Sequence, residues 1–265
     1  MENLAICPLI SGSKGNSHLI TNGKTNILVD CGISAKLLSE KLSLYGKSPA
    51  DLDGILISHE HTDHTKGAGI ICRKFGVPIY ATRGTWQAMY KNIKPVGDEF
   101  IHIIAPEQDF LLGDILISPF TISHDAKDPV GYTFSFEKKK ISVATDTGIA
   151  DDRLISALSG SDVALIEANH DKNMLIMGSY TQSLKHRIIS DRGHLSNDAA
   201  GTLSLKLIKS GTKTILIGHL SEENNYPELA YLTVKNIIEE GGFKEGKDVT
   251  LSVVTKTSST QTYLA

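Results

Sequence analysis

The sequence predicts an α/β chain, mixed in the α+β sense, folded as a four-layer αββα sandwich: two similar halves, each a sheet with helices on one face, packed sheet to sheet. Three observations carry this. Strand-like segments followed by helix-like segments occur twice, over about residues 1–95 and 96–255. No Pro- or Ser-rich linker and no low-complexity tract separates them, so residues 1–265 are read as one domain. At 265 residues, 40% hydrophobic and 22% charged, the chain can bury a full core and has an ordinary globular composition.

The elements follow in order. Residues 3–11 and 25–31 read as strands, with Asn22-Gly23 as a turn signal between Ile20 and Thr25. Residues 34–45 carry apolar side chains at helical spacing behind Ser34, a good N-cap. Strand and helix then alternate: strand 53–58, helix 65–75, strand 77–81, helix 84–90. The middle is β-rich, with strands at 100–104, 109–112, 115–123, 131–137 and 140–144, and a hairpin turn at 137–140. Helices return at 151–158, near 180–190, at 196–210 and at 227–240, with strands at 163–167, 214–217 and 249–255 among them. Pro227 at a first helical turn and Gly241-Gly242 just past the end fit the preference for proline at helix starts and glycine after helix ends.

Several classes are excluded or disfavoured. The longest apolar runs, such as 55–57 and 163–166, are strand-sized, far below the ~18 residues a spanning helix needs, so no membrane role is expected. The N-terminus lacks a basic segment followed by an apolar one, which argues against export and for a cytoplasmic protein. Cys7, Cys31 and Cys72 are odd in number and without metal-type spacing, as expected of buried reduced thiols. The net charge of −3 does not mark a nucleic-acid binder, although a local patch is compatible with it.

The chemistry is concentrated in His59-Glu60-His61-Thr62-Asp63-His64, directly after an apolar strand. Three histidines and an aspartate within six residues offer imidazole and carboxylate ligands suited to zinc, manganese or iron. Four ligands leave a dinuclear site incomplete, and further candidates should stand at strand ends, where loops gather. His124, Asp146 and His219 each do.

This order, His-x-His-x-Asp-His followed by a strand-terminal His, an Asp and a His, resembles the metallo-β-lactamase superfamily over nearly the whole chain. The resemblance implies the metallo-β-lactamase fold and two divalent transition-metal ions. His59, His61 and His124 would hold one, Asp63, His64 and His219 the other, and Asp146 would bridge them. Asp30, at the end of a strand, matches the superfamily's first motif and would orient the His loop by hydrogen bonds. An aspartate at 146, where true β-lactamases commonly carry cysteine, points to phosphodiesters. So do Glu167 in LIEANHD and His194 in GHLS, which resemble elements of the RNase Z-like phosphodiesterases. His194 would protonate the leaving oxygen and Glu167 would orient it; with Asp63 they are the candidate catalytic residues. Gly131-Tyr132 after His124 echoes the same group.

SGSKGNS near the N-terminus, EANHD, and residues 184–190 leading into GHLSN are similar to the bacterial YycJ (WalJ) branch. That similarity implies a 5′-to-3′ DNA exonuclease working beside DNA-repair proteins. One position departs: Thr181 follows Tyr180 where the branch carries proline. The alternative on the same scaffold is a hydrolase of small thioesters, lactones or small phosphodiesters. A thioesterase of the glyoxalase II type carries an added helical C-terminal region, whereas this chain ends soon after its last expected strand.

Other residues have plainer readings beside functional ones. His170 is either near the metals or substrate, or a hydrogen-bond partner of residues that are. Ser13 and Asn16 in the Gly-rich loop either support the His motif or contact a phosphate through backbone N–H groups. Asp125 and Asp128 are read as loop carboxylates, and His18, His102 and His186 as ordinary surface or strand residues. Residues 170–213 hold seven cations, including Lys185 and Arg187, against three carboxylates, which is either a rim for nucleic-acid backbone or the solvated faces of two helices.

Overall fold

A computed structural model describes residues 3–255 and 261–265. The chain runs β1 (Ala5–Ile10), β2 (Ser17–Thr21), β3 (Asn26–Val29), α1 (Ala35–Ser43), β4 (Gly54–Leu56), α2 (Thr62–Thr65), α3 (Ala68–Phe75), β5 (Ile79–Thr82), α4 (Arg83–Ile93) and β6 (Ile101–Ile104). It continues with β7 (Phe110–Leu112), β8 (Ile115–Thr121), β9 (Val130–Phe136), β10 (Lys139–Ala144), α5 (Asp152–Leu158) and β11 (Val163–Glu167). Then come α6 (Lys172–Met177), α7 (Gln182–Ile189), α8 (Asn197–Lys209), β12 (Thr214–Gly218), α9 (Pro227–Glu240), β13 (Thr250–Val253) and β14 (Tyr263–Leu264).

Two seven-stranded sheets result, ordered β14-β1-β2-β3-β4-β5-β6 and β13-β12-β11-β10-β9-β8-β7. Their patterns match. In the first, β14 to β3 pair antiparallel and β3 to β6 parallel. In the second, β7 to β10 pair antiparallel and β10 to β13 parallel. The strand at 101–104 belongs to the first sheet and β14 returns to its edge, so the sheets do not divide at residue 95. Hydrogen-bonding partners, not sequence position, decide which sheet a strand joins.

Strand periodicity explains the layers. Successive side chains point to opposite faces, so a strand covered on both sides reads as continuously apolar. Along β3, Ile27 and Val29 enter the cluster between the sheets, while Leu28 packs toward α1, α3 and α4 with Leu38, Ile71 and Met89. Along β11, Val163 and Leu165 face the other sheet, while Ala164 and Ile166 pack toward α5, α8 and α9 with Leu154, Leu203 and Val234. Helix, sheet, sheet, helix is therefore the layer order, as expected.

Differences from the sequence reading are local. The helix expected at 65–75 is α2 and α3, broken at Gly67, where a Cβ would stand 2.3 Å from the Ile33 carbonyl oxygen. β2 and α6 were not expected: β2 carries polar Ser17 and His18, and α6 is only six residues long behind its Asp171 N-cap. Thr181, the departure noted above, caps α7, its hydroxyl accepting from Leu184 N at 3.3 Å. All three cysteines are buried and unpaired.

Candidate metal centre

The site lies beyond the C-terminal ends of the strands, the usual place for ligands in open α/β sheets. Asp30 follows β3, the His59–His64 loop follows β4, Asp146 follows β10, Glu167 ends β11 and His219 follows β12. Val29-Asp30-Cys31-Gly32 and Thr145-Asp146-Thr147-Gly148 hold equivalent places after the two strands where antiparallel pairing gives way to parallel. Asp30, Asp146 and His219 have φ values of 58°, 59° and 54°. Left-handed backbone costs a non-glycine residue about 1–2 kcal/mol, so the surroundings must hold it. Leu56 O accepts from Asp30 N at 2.8 Å, and Ser11 Oγ accepts from His219 N at 2.8 Å.

Asp30 organises the His loop. Its Oδ1 accepts from Ser58 N at 2.8 Å and its Oδ2 from His64 Nδ1 at 2.8 Å, with the Ser58 hydroxyl within 3.0 Å of both oxygens. The Gly-rich loop docks on the other side. Asn16 N donates to Asp63 O at 2.8 Å, and Asn16 Nδ2 lies 3.1 Å from His64 Nε2. A Cβ on Gly32 would sit 1.6 Å from Asp63 O, so only glycine permits this approach. Asn16 is thus buried against the His motif, whereas exposed Ser13 lines the cavity above it.

The expected ligands converge. His59, His61 and His124 present ligand atoms within 4.8 Å of one another, as do Asp63, His64 and His219. Asp146 stands between the triads: its Oδ2 is 3.3 Å from His64 Nε2, and its Oδ1 is 3.4 Å from His219 Nε2 and 3.9 Å from His124 Nε2. His59 Nε2 and His124 Nε2 lie 3.0 and 3.3 Å from His61 Nδ1. Two buried atoms, Asp146 Oδ2 and His219 Nε2, have no hydrogen-bond partner among the described residues. Crowded ring nitrogens with orphaned, inward-facing atoms are what a cation-binding cradle requires, so the residues fit divalent metal ions.

Neighbours fix the ring orientations. Gly193 O accepts from His124 Nδ1 at 3.2 Å, and Asp30 from His64 Nδ1, which leaves each Nε2 lone pair for the centre. Fully buried Glu167 is a hub. Its Oε1 accepts from Thr147 N and Leu195 N at 2.9 Å each, and its Oε2 from His194 Nδ1 at 3.1 Å and His219 Nδ1 at 3.3 Å. The sequence offered Glu167 only as a partner of His194; its hold on His219 was not foreseen, nor were the roles of Ser58, Ser11 and the Gly193 carbonyl. Each is a common residue type whose neighbours come from distant segments.

The electrostatics follow. Burial opposes charge on His64 and His219, yet the carboxylates around them outweigh it: Asp30, Asp146 and Asp63 raise His64 well above its usual value, and Asp146, Asp63 and Glu167 raise His219 to about 10. Burial would also raise Glu167, but the two imidazoles hold it down at about 2. A proton on these rings occupies the lone pairs that a metal ion would take. Burial, with little to offset it, keeps His170 neutral, at about 4.

Lys185 requires a correction. It was expected on an exposed basic rim, but it is 7% exposed, and its Nζ donates to Ile176 O at 2.6 Å, tying α7 to α6. Arg187, one turn on from Leu184, lines the cavity, pairs with Asp125 and is half exposed. Arg192 Nε donates to His124 O at 3.2 Å. His18, read as an ordinary surface or strand residue, lies buried in β2, and neither ring nitrogen has a hydrogen-bond partner among the described residues. The cavity itself is about 200 Å³, with Arg187, His194, Tyr180 and Asn169 on its walls.

A model of the beta-lactamase superfamily domain matches residues 25–218. The chain is 42% identical to the exodeoxyribonuclease WalJ of Streptococcus pneumoniae, over 91% of this chain and 90% of that protein. It is 39% identical to the exodeoxyribonuclease YycJ of Bacillus anthracis, over 90% of each. In fold it is similar to the metallo-beta-lactamase fold protein YhfI of Bacillus subtilis, with a TM-score of 0.73 at 16% identity, covering 99% of this chain and 100% of that one. The chain belongs to the beta-lactamase superfamily, and within it to the family of the exodeoxyribonucleases WalJ and YycJ.

Proposed function

We propose that this protein is a dinuclear metal-dependent phosphodiesterase that cleaves DNA. The observation that carries the reading is two ligand triads, His59/His61/His124 and Asp63/His64/His219, with Asp146 between them and Glu167-held His194 on the wall of the same cavity. His59, His61 and His124 would hold one ion and Asp63, His64 and His219 the other, with Asp146 available to both; zinc and manganese suit this donor set, and iron is compatible with it. Divalent ions there supply Lewis-acid polarisation and charge neutralisation to a phosphodiester.

The chain's own groups do the rest. Glu167 keeps the Nδ1 proton of His194 engaged, so Nε2 is the end that delivers a proton to the leaving oxygen. Asp30, with Ser58 and Asn16, holds the His loop, so the ligands do not reorganise during a turnover. Arg187 and Arg192 border the site and suit a phosphate backbone, with the Asp125 partner of Arg187 tempering its charge. The WalJ and YycJ names support DNA over RNA and exonuclease over endonuclease action. An exodeoxyribonuclease needs access to DNA ends, so we further propose that the protein acts in the cytoplasm, alongside the DNA-repair proteins expected from its sequence. No helix among the described residues is long and apolar enough to cross a membrane.

The test is hydrolysis, with zinc or manganese supplied, of end-labelled single- and double-stranded DNA, RNA, a small phosphodiester and a thioester. Release of nucleotides from DNA ends is expected. Turnover of the thioester with no polynucleotide cut would overturn the reading in favour of a small-substrate hydrolase.

A further inference from the structure

A second cavity, of about 310 Å³, shares His194 with the cavity above the candidate metal ligands. Its walls are apolar, from Ile176 on α6, Ile189 on α7 and Leu195, and His170 and Lys172 add the polar character. Two features are unusual. Ile176 and Ile189 are 60% and 52% exposed, an apolar pair left largely uncovered by the described residues. His170 is 2% exposed, and its Nδ1 has no hydrogen-bond partner among the described residues. A buried, neutral imidazole with a free ring atom is a polar group in want of a partner.

His194 lines both this cavity and the catalytic one. Since His194 is placed to protonate the leaving oxygen, whatever is attached to that oxygen lies against its second face. We propose that this cavity holds the base of the leaving nucleoside, an inference that rests on the phosphodiesterase reading. A nucleobase has apolar faces for Ile176, Ile189 and Leu195 and a hydrogen-bonding edge for His170. Lys172, whose Nζ is 3.5 Å from Asp198, adds to the lining a cation suited to a phosphate of the same strand. The volume is at the small end of ligand pockets, in keeping with one base and sugar. Seating a base there requires it to be unstacked, which costs least at a frayed or single-stranded end.

The test uses metal-loaded protein and oligonucleotides that are intact or carry an abasic sugar on the leaving side of the scissile bond. The variants are Ile176→Ser/Ile189→Ser, both at exposed positions, and His170→Phe. Cleavage of intact strand should show KM raised on the order of tenfold in the double variant, from lost apolar contact. The abasic strand should bind the wild type about equally weakly, with no further loss in the variants. Metal content and thermal unfolding should not change in the double variant, since both side chains are more than half exposed. Anisotropy with a cleavage-resistant phosphorothioate strand gives the same comparison without chemistry. Variants that match the wild type on intact strand, or that lose equally on intact and abasic strands, would overturn the base pocket while leaving the phosphodiesterase reading intact. A wild type that cleaves neither polynucleotide nor the small diester would overturn both.

Discussion

Replacing Glu167 with glutamine changes one buried atom and tests how the centre is held. The carboxylate accepts from Thr147 N and Leu195 N at 2.9 Å through one oxygen, and from His194 and His219 at 3.1 and 3.3 Å through the other. Glutamine keeps a carbonyl oxygen for the two backbone donors, so its NH₂ must face the two imidazoles. Two N–H groups would then point at ring N–H groups, at about 1–3 kcal/mol for each unsatisfied donor. The rings escape by moving their protons from Nδ1 to Nε2. In His219 that proton lands on the atom 3.4 Å from Asp146 Oδ1 and removes the lone pair needed for a metal. Losing such a supporting partner typically weakens metal binding about 10–100-fold, or about 1.4–2.7 kcal/mol. Competition with a chromogenic chelator at neutral pH measures it. The affinity of Glu167→Gln should fall within that range, with folding retained by circular dichroism. An affinity within twofold of the wild type would refute the argument that Glu167 sets the His219 tautomer.

Further outcomes follow from the same geometry. His194→Ala should keep its metals and lose about 10²–10⁴-fold in kcat on DNA, with a much smaller loss on a nitrophenyl phosphodiester, whose leaving group needs no proton; equal losses on both would show that His194 has another role. Arg187→Ala should lower the slope of log affinity against log salt by about 1, whereas Lys185→Ala should leave that slope unchanged and instead lower the unfolding free energy, because Lys185 is buried on the Ile176 carbonyl. His18, with a folded pKa pushed by burial from 6.5 to about 3, stays neutral while its unfolded form takes up a proton, so its stabilising share is present above pH 6.5 and lost as pH falls toward 3. Of the difference between urea melts of metal-free protein at pH 7 and 5, His18 should contribute about 2 kcal/mol, on top of what other buried histidines such as His170 add. His18→Leu, which also removes two ring nitrogens without a partner among the described residues, should lack that share of the difference; an identical pH dependence in both proteins would contradict it.

What the sequence made legible, and what it did not, has physical causes. Strands covered on both faces read as continuous apolar runs, as residues 163–166 and 215–217 do, and a polar residue soon after such a run marks where the strand gives way to a loop. That is why Asp146 and His219 stood out as strand-terminal residues. The His59–His64 loop was legible because all its donors are local in sequence. β2 was not, because Ser17 and His18 break its apolar pattern even though both are buried in the fold. Lys185 misled for the converse reason: its charge is local information, but its partner, the Ile176 carbonyl, is set by how α6 and α7 pack. Glu167 was read with one partner because its second, His219, comes from a strand that pairs beside it only in the folded sheet.

Adding a divalent ion back to metal-stripped protein, while following cleavage of an end-labelled DNA strand, tests the central claim most directly. The rate should plateau at two equivalents per chain, and Asp146→Ala, lacking the carboxylate that stands between the two triads, should bind less metal and stay silent at the same ion concentration. A plateau at one equivalent, cleavage by the stripped protein, or an Asp146→Ala variant with wild-type metal content and rate would contradict the account.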